Sequence, residues 1–144
     1  MKGWRSRGWA TVLEFGELPD PVPGAGQVLV RVHAVACNFP DILVCQGRYQ
    51  EKPELPFTPG MEIAGEVVTV GEGARAAVGD RVLGTPPIGR GGYAELAVQA
   101  VVANLWRTGG IDPLVGAELP LVDAPAALRG LGSRGTTGKV VLVP

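Results

Sequence analysis

The residue types that bind metals or act as redox centres are scarce in this sequence of 144 residues. It has one histidine, His33, and two cysteines, Cys37 and Cys45, which lie eight positions apart with no second pair. Zinc fingers and redox dithiols need closely paired cysteines, so this spacing excludes the usual forms of both. We therefore expect two reduced, partly buried thiols in an intracellular protein.

Two glycine-rich segments have some features of phosphate-binding loops. Residues 89–92 lead into a predicted strand and are typical of a hairpin turn. Residues 132–139 lack the G-x-x-x-x-G-K-[ST] pattern, because Lys139 is followed by Val140, and a strand rather than a helix comes next. A dinucleotide site needs a glycine-rich turn between a strand and a following helix. The segment is thus predicted to be a loop, with a contribution of Arg134 to phosphate binding as the alternative.

Short strands joined by turns are the elements that must position these residues. The 22 glycines and 13 prolines are spread along the chain without a period, which favours turns over collagen or a linker. The clearest strand spans residues 27–35, where valines alternate with Arg31 and His33. Further strands are predicted at residues 9–15, 63–70, 81–83, 93–98 and 140–143. The predicted fold class is mainly β with short helices (α+β).

Two short helices are predicted between these strands. Asn38 can cap the first helix, Asp41 suits its positive end, and the helix stops near Gly47. The second helix covers residues 124–131 and has Asp123 as its cap. No internal repeat is visible.

Composition and charge exclude several classes of protein. Apolar residues make up 46% of the chain, charged residues 19%, and the net charge is -1, as in an ordinary globular protein. This balance indicates neither nucleic-acid binding nor an acidic disordered tail. No apolar run approaches the roughly 20 residues that span a bilayer, and the first residues lack the apolar stretch of a secretion signal. We expect a cytoplasmic protein that binds no membrane.

Four motifs occur in an order and spacing that resemble one family. They are residues 36–41 with 46–49, residues 55–67, residues 78–82 and residues 91–95, which read ACNFPD with QGRY, LPFTPGMEIAGEV, VGDRV and GGYAE. Together they resemble the N-terminal catalytic domain of the zinc-free NADPH:quinone oxidoreductases, the zeta-crystallin-like branch of the medium-chain dehydrogenases/reductases. This resemblance implies a GroES-like, partly open barrel with no Rossmann fold.

The last third of the chain resembles the end of the same catalytic domain, on residues 110–115, 119–121, 127–129 and 138–142. In the family a nucleotide-binding Rossmann domain separates the two parts, and such a domain has on the order of 100–150 residues. Here only a handful of residues separate them. The resemblance implies one domain over residues 1–144, whose N-terminal part (1–98) and C-terminal part (about 105–144) are joined where the cofactor domain would be inserted.

Zinc ligands are missing from the positions where zinc-dependent relatives have them. A Cys-His pair of those relatives corresponds to Asn38 and Phe39 here, and a His corresponds to Met61. Amide, phenyl and thioether groups are poor zinc ligands, and Glu62 by itself does not hold a metal. The resemblance thus implies no catalytic zinc. We expect Glu62 to form a structural ion pair with Arg81.

The resemblance also implies which residues form the site, because they occupy the positions of the family's functional residues in these motifs. Asn38, Phe39 and Asp41 would approach the nicotinamide end of NADPH, with Asn38 hydrogen-bonding its ribose or carboxamide. Tyr49 would be the catalytic residue, orienting the quinone or helping to supply a proton, and Arg134 would lie near the cofactor phosphates. Helix capping by Asn38 and Asp41, and a plain surface position for Tyr49, stay open as alternatives.

The activity that the resemblance implies is hydride transfer from NADPH to a quinone or other enone. The chain would supply one wall of the cleft and be inactive alone, because a cofactor held from one side is poorly positioned. The alternatives are a non-enzymatic GroES-like interaction module and a half-enzyme that pairs with a separate Rossmann chain. Loss of the cofactor domain would expose Trp106, Ile111 and Leu114, which predicts possible self-association through that surface.

Overall fold

The structure, a computed structural model, describes residues 1–9, 13–100, 115–133 and 136–144. In those residues the strands and helices follow in the order β1 (Lys2–Ser6), β2 (Leu13–Glu17), β3 (Val28–Cys37), α1 (Phe39–Cys45), β4 (Ile63–Val70), β5 (Arg81–Gly84), β6 (Leu96–Gln99), β7 (Val115–Pro120), α2 (Ala124–Gly132) and β8 (Lys139–Val143). A short 3-10 helix, Leu121–Asp123, leads into α2. The prediction of a mainly β fold with short helices is confirmed.

β3 is the central strand of the larger sheet, and its sequence explains why. Val30, Val32 and Val35 are buried, while Arg31 and His33 between them are exposed. One edge of β3 pairs with β4, and the other edge pairs with β6 and then with β8, all antiparallel. The strand predicted at residues 27–35 is confirmed, and it extends to Cys37.

The last part of the chain joins the same sheet. β8 pairs antiparallel with β3 and parallel with β7, which gives the order β5-β4-β3-β8-β7 with β6 also on β3. Because parallel neighbours need a crossover, α2 connects β7 to β8. The helix predicted at residues 124–131 and the strand predicted at 140–143 are confirmed, with small shifts at their ends.

The core consists of two apolar clusters. In the larger, the valines of β3 pack with Ile63 and Val67 of β4 and Leu142 of β8. Trp4 belongs to it, and its Nε1–H donates to the carbonyl oxygen of Leu121 at 2.7 Å, tying β1 to the turn before α2. The smaller cluster consists of Val44, Cys45 and Phe57.

Sequence patterning does not predict β1 and β7. β7 contains Gly116 and ends at Pro120, and both residue types are depleted in strands. A Cβ at position 116 would overlap the carbonyl oxygen of Thr137, so this close approach to the loop before β8 requires glycine. The strand predicted at 9–15 overlaps β2, which covers Leu13–Glu17, and residues 10–12 are outside the described ranges. Neither α1 nor α2 has the length and apolarity needed to cross a bilayer.

Candidate active site

A cluster of three polar side chains lies where the ends of three strands meet. Asn38 follows the last residue of β3, Glu62 precedes the first residue of β4, and Lys139 begins β8. Because β4 and β8 run antiparallel to β3 on its two sides, both start beside the end of β3. The fold thereby brings together residues that are far apart in sequence.

Hydrogen bonds connect all three side chains of this cluster. Lys139 Nζ donates to Glu62 Oε2 at 2.7 Å and to Asn38 Oδ1 at 3.1 Å. Asn38 Nδ2 donates to the same Glu62 oxygen at 3.1 Å. The side chains of Lys139 and Glu62 are 35% and 45% exposed, so solvent and ligands can reach them.

Asp41 holds the backbone next to this cluster in place. It is fully buried, and its carboxylate accepts the backbone N–H of Asn38 at 2.8 Å and that of Met61 at 3.1 Å. Burial raises the pKa of Asp41 to about 6, and hydrogen bonds from the backbone of Asn38, Met61 and Gly60 oppose that shift. Asp41 thus fixes the segment with Asn38 relative to the one with Glu62.

The turn before Glu62 depends on one glycine. Gly60 has a φ of 104°, in the region that favours glycine. A Cβ at this position would lie 2.6 Å from Cδ1 of Tyr93 and 2.8 Å from the backbone nitrogen of Gly92. A larger residue would push the turn away, and Met61 and Glu62 would move with it.

Buried thiols lie beside the polar cluster. The hydroxyl of Tyr93 donates to Cys37 Sγ at 3.3 Å, and both side chains are buried. Burial raises the pKa of Cys37 to about 11 and that of Cys45 to about 12, so both thiols are protonated at neutral pH. Both cysteines are free, as the sequence predicts.

Of the other two predicted site residues, the structure describes only Tyr49. Tyr49 comes after α1 and packs against the smaller apolar cluster, as Met61 does. The contacts described for Tyr49 include none with Asn38. Arg134 lies outside the described residues, in the connection between α2 and β8.

A trough of about 440 Å³ runs across the sheet next to the cluster. Glu62 and Lys139 both line it, and Arg81 does too. Its remaining lining is largely apolar and comes from β3, β4, β5, β7 and β8, with Ala34, Ala36, Ala64, Leu83, Val115 and Val141 among it. This volume lies within the range of small-molecule sites, roughly 300–1,000 Å³.

The donor set does not fit a zinc ion. Asn38, Phe39 and Met61 offer no thiolate or imidazole, and Glu62 is paired with the ammonium of Lys139 at 2.7 Å. A second cation at that carboxylate would be repelled by the first. Among the described residues no three His, Cys, Asp or Glu side chains are grouped as metal ligands. The ion pair described for Glu62 is with Lys139, while Arg81 lies opposite Glu66 across β4 and β5.

The crossover from β7 to β8 does not fit a dinucleotide. A pyrophosphate binds at the N-terminus of the helix that follows a glycine-rich turn. α2 instead follows residues 120–123, Pro-Leu-Val-Asp, which contain no glycine. The glycine-rich segment starts only at Gly132, the last residue of α2, at the end of the helix that carries partial negative charge. The expectation of a loop here, rather than a phosphate site, is consistent with this placement.

Sequence reasoning assigns neither Glu62 nor Lys139 of this cluster to the site: it predicts a structural ion pair of Glu62 with Arg81, and it gives Lys139 no role. Lys139 lies 77 positions from Glu62, so no local spacing connects the two. The only sequence feature that could have pointed to Lys139 is its position at the start of a strand, directly after the loop at residues 132–138. Only the pairing of β8 with β3 brings it to Asn38.

Comparisons with known proteins agree with this architecture. The family model described as "Alcohol dehydrogenase GroES-like domain" matches residues 24–144. A "Quinone oxidoreductase-like protein 2 homolog" from Nematostella vectensis is 55% identical over 85 residues, which are 58% of this chain and 23% of that protein. The chain thus spans about a quarter of the length of the first curated relatives it matches.

Solved structures confirm the GroES-like fold predicted from the sequence. A mycobacterial quinone oxidoreductase superposes with a TM-score of 0.85 at 16% identity, covering 100% of both chains, which is a likeness of fold alone. The quinone oxidoreductase of Thermus thermophilus, solved also with NADPH, has a TM-score of 0.60 at 26% identity, covering 83% of this chain and 44% of that one. The chain belongs to the family of alcohol dehydrogenase GroES-like domains, and the relatives it matches include quinone oxidoreductases.

Proposed function

We propose that this chain forms the substrate-side wall of a NADPH-dependent oxidoreductase that reduces quinones or other enones. The observation that carries the proposal is the partly exposed amide of Asn38, held by Glu62 and Lys139 at the edge of an apolar trough. Phe39, next to it, is 56% exposed and offers a flat apolar surface. An amide beside an exposed ring is suited to a nicotinamide, and relatives named quinone oxidoreductases support the acceptor class.

NADPH, when bound, supplies the hydride, so the tasks left to this chain are positioning and exclusion of water. In the proposal Asn38 binds the nicotinamide side, Phe39 packs on it, and buried Asp41 holds the segment with Asn38. Tyr49 orients the acceptor or relays a proton. The hydride brings two electrons and one hydrogen to the quinone, and one proton from water completes the hydroquinone.

A second domain has to bind the phosphates of the cofactor, because the described residues form no glycine-rich strand-to-helix turn. In the proposal that domain would be inserted between β6, which ends at Gln99, and β7, which begins at Val115. The support is that β8 pairs with β3, so the part after the junction completes the sheet of the part before it. We expect the chain alone to turn over no quinone.

The test uses the purified chain alone and mixed with a separately produced nucleotide-binding domain of a quinone oxidoreductase. NADPH oxidation is followed with a simple ortho-quinone, and NADPH binding is measured by titration calorimetry. We expect neither turnover nor firm binding with the chain alone, and turnover in the mixture. Asn38→Ala should lower that turnover, whereas the exposed control Gln50→Ala should not.

Two results would contradict the proposal in different ways. Turnover by the chain alone would mean that no second domain is required. A mixture that binds NADPH but reduces neither quinones nor enones would exclude the proposed activity.

A non-enzymatic interaction module is the second candidate, and exposed apolar side chains favour it. Phe39, Val122 and Val115 are 56%, 52% and 42% exposed, while Trp106, Ile111 and Leu114 lie outside the described residues. In this candidate function the chain associates with itself or with a protein partner and does not bind NADPH. Sedimentation over a range of concentrations tests it: association that Val122→Ser weakens supports this role, and a monomer at all concentrations excludes self-association.

A further inference from the structure

Hydrogen-bond donors are scarce in the apolar trough beside the polar cluster. Among the described residues, the side chains that line the trough and carry a donor are those of His33, Arg81 and Lys139. Tyr49 is not among the described residues that line it. A ligand that lies in the trough and carries an oxygen atom therefore meets one of these three groups.

Lys139 has one donor left for such a ligand. An ammonium group has three N–H donors, and two of them are engaged, with Glu62 at 2.7 Å and with Asn38 at 3.1 Å. These two bonds hold the end of a long, flexible side chain in one place. Because the Lys139 side chain is 35% exposed and lines the trough, the third N–H can bond to a ligand there.

The other two donors are less well placed. Arg81 lies on β5 and Lys139 on β8, with β4 and β3 between them, a separation of roughly 14 Å at the usual spacing of strands. His33 is exposed, and the contacts described for it include no hydrogen bond that fixes its ring. A donor that is already held in place stabilises a developing charge best, because it needs no reorganisation.

We propose that Lys139 binds the reacting oxygen of the acceptor and supplies its proton, while the apolar part of the acceptor lies in the trough. This inference rests on the proposed function and names the group that acts on the oxygen. When the acceptor takes up a hydride, with its two electrons, negative charge collects on its carbonyl oxygen. A proton passes from Lys139 Nζ to that oxygen, and the neutral amine regains a proton from water.

Glu62 determines which ligands this arrangement favours. Its carboxylate balances the charge of Lys139, so the pair attracts a neutral carbonyl group or a single developing oxyanion through one remaining N–H. A phosphate carries more negative charge and is repelled by the carboxylate of Glu62. The ligand class is therefore an apolar molecule with a carbonyl or phenolate oxygen, and not a phosphate.

The first experiment measures binding of para-nitrophenol to the purified chain, without cofactor or second domain. Absorbance separates the phenolate from the phenol, and nitrobenzene is the matched ligand without the phenolic oxygen. We expect the phenolate to bind about tenfold more tightly than nitrobenzene, the effect of one charge-assisted hydrogen bond. Lys139→Met should abolish this preference, and Lys139→Arg should keep part of it.

Control variants separate the donor of Lys139 from the charge of Glu62. Because Lys139→Met leaves Glu62 unpaired, the double variant with Glu62→Gln removes both charges, and it should also lack the preference. Glu62→Gln alone should strengthen phenolate binding several-fold. Lys52→Met removes an exposed lysine that does not line the trough and should change nothing. Backbone NMR spectra show whether each variant is folded, and if Lys139→Met is not, the other two variants test the same pair.

Three results would overturn this assignment. They are a wild type without the preference, a folded double variant that keeps it, and displacement of the phenolate by inorganic phosphate at a similar concentration. The third would mean a general anion site. None of these measurements needs NADPH, so the turnover test of the proposed function is independent of them.

Turnover in the mixture with a nucleotide-binding domain tests the proton step. Lys139→Met should lower kcat about tenfold or more and change KM less, because the donor acts most strongly on the developing oxyanion. Added methylamine should restore part of the rate. Unchanged turnover in folded Lys139→Met would overturn the catalytic role of Lys139, whereas a wild-type mixture that reduces no acceptor would instead count against the proposed function.

Discussion

The candidate site has a buried floor, formed by Asp41, Cys37 and Tyr93, and a partly exposed rim, formed by Asn38, Glu62 and Lys139. The floor and the rim use their polar groups in different ways. Each carboxylate of the pair Asp41 and Glu62 accepts more than one hydrogen bond. Asp41 is fully buried and accepts from backbone N–H groups, whereas Glu62 is 45% exposed and accepts from side chains. The floor thus fixes the position of the backbone around the site, and the rim supplies the polar groups that a ligand contacts. Substitutions in the floor should change stability, and those in the rim should change recognition.

The largest effect that tests this contrast is expected from Asp41→Ala. It leaves the partly buried N–H groups of Asn38 and Met61 without the acceptor that they have in the wild type, at a cost of about 2–4 kcal/mol in the free energy of unfolding. Urea denaturation measures the loss. Asp80→Ala is the matched control, because Asp80 also accepts a backbone N–H, that of Ala77, but at an exposed site. It should cost less than about 1 kcal/mol, and equal losses would contradict the contrast.

A dependence of stability on pH should follow from the same carboxyl group. Its pKa is raised from 3.8 to about 6 by burial, so the folded protein binds the proton more tightly than the unfolded chain. The added stability is complete below about pH 3.8 and is lost as the pH rises through about 6, a change of about 3 kcal/mol. Denaturation of the wild type and of Asp41→Asn at several pH values measures it. Parallel profiles for the two proteins would show that Asp41 does not titrate in this way.

A smaller loss is expected from Tyr93→Phe, also in the floor. It removes the hydroxyl that donates to Cys37 Sγ and keeps the ring, so the cost should be about 1 kcal/mol. Tyr49→Phe is the control outside the floor and should change stability by less than about 0.5 kcal/mol. Thermal denaturation of both variants measures the two losses of stability. A larger loss for Tyr49→Phe than for Tyr93→Phe would mean that Tyr49 has a structural role and would contradict the prediction.

The smallest effect on stability is expected from Lys139→Met, in the rim. Its ion pair with Glu62 is partly exposed, and pairs of this kind contribute about 0–1 kcal/mol. The loss should shrink further in high salt because the charges are screened. Urea denaturation at low and high salt measures both. A loss as large as that of Asp41→Ala would mean that floor and rim do not differ.

The strands and helices that patterning predicts best are those where local sequence and burial agree. The alternating valines of β3 and the turn residues around α1 and α2 indicate these elements without knowledge of the fold. β7 could not be predicted, because Gly116 is present to allow contact with Thr137 rather than to favour a strand. Lys139 could not be assigned to the site, since it meets Asn38 only through the pairing of β8 with β3.

The position of β8 between β3 and β7 has a consequence for biosynthesis. β7 pairs with β8, and the end of β3 also needs β8 as its neighbour on one edge. While the ribosome is still making the segment before β8, that edge of β3 is open to strands of other chains. Completion of this sheet therefore has to wait until residues 139–143 leave the exit tunnel, which makes nascent chains that stall earlier candidates for chaperone binding.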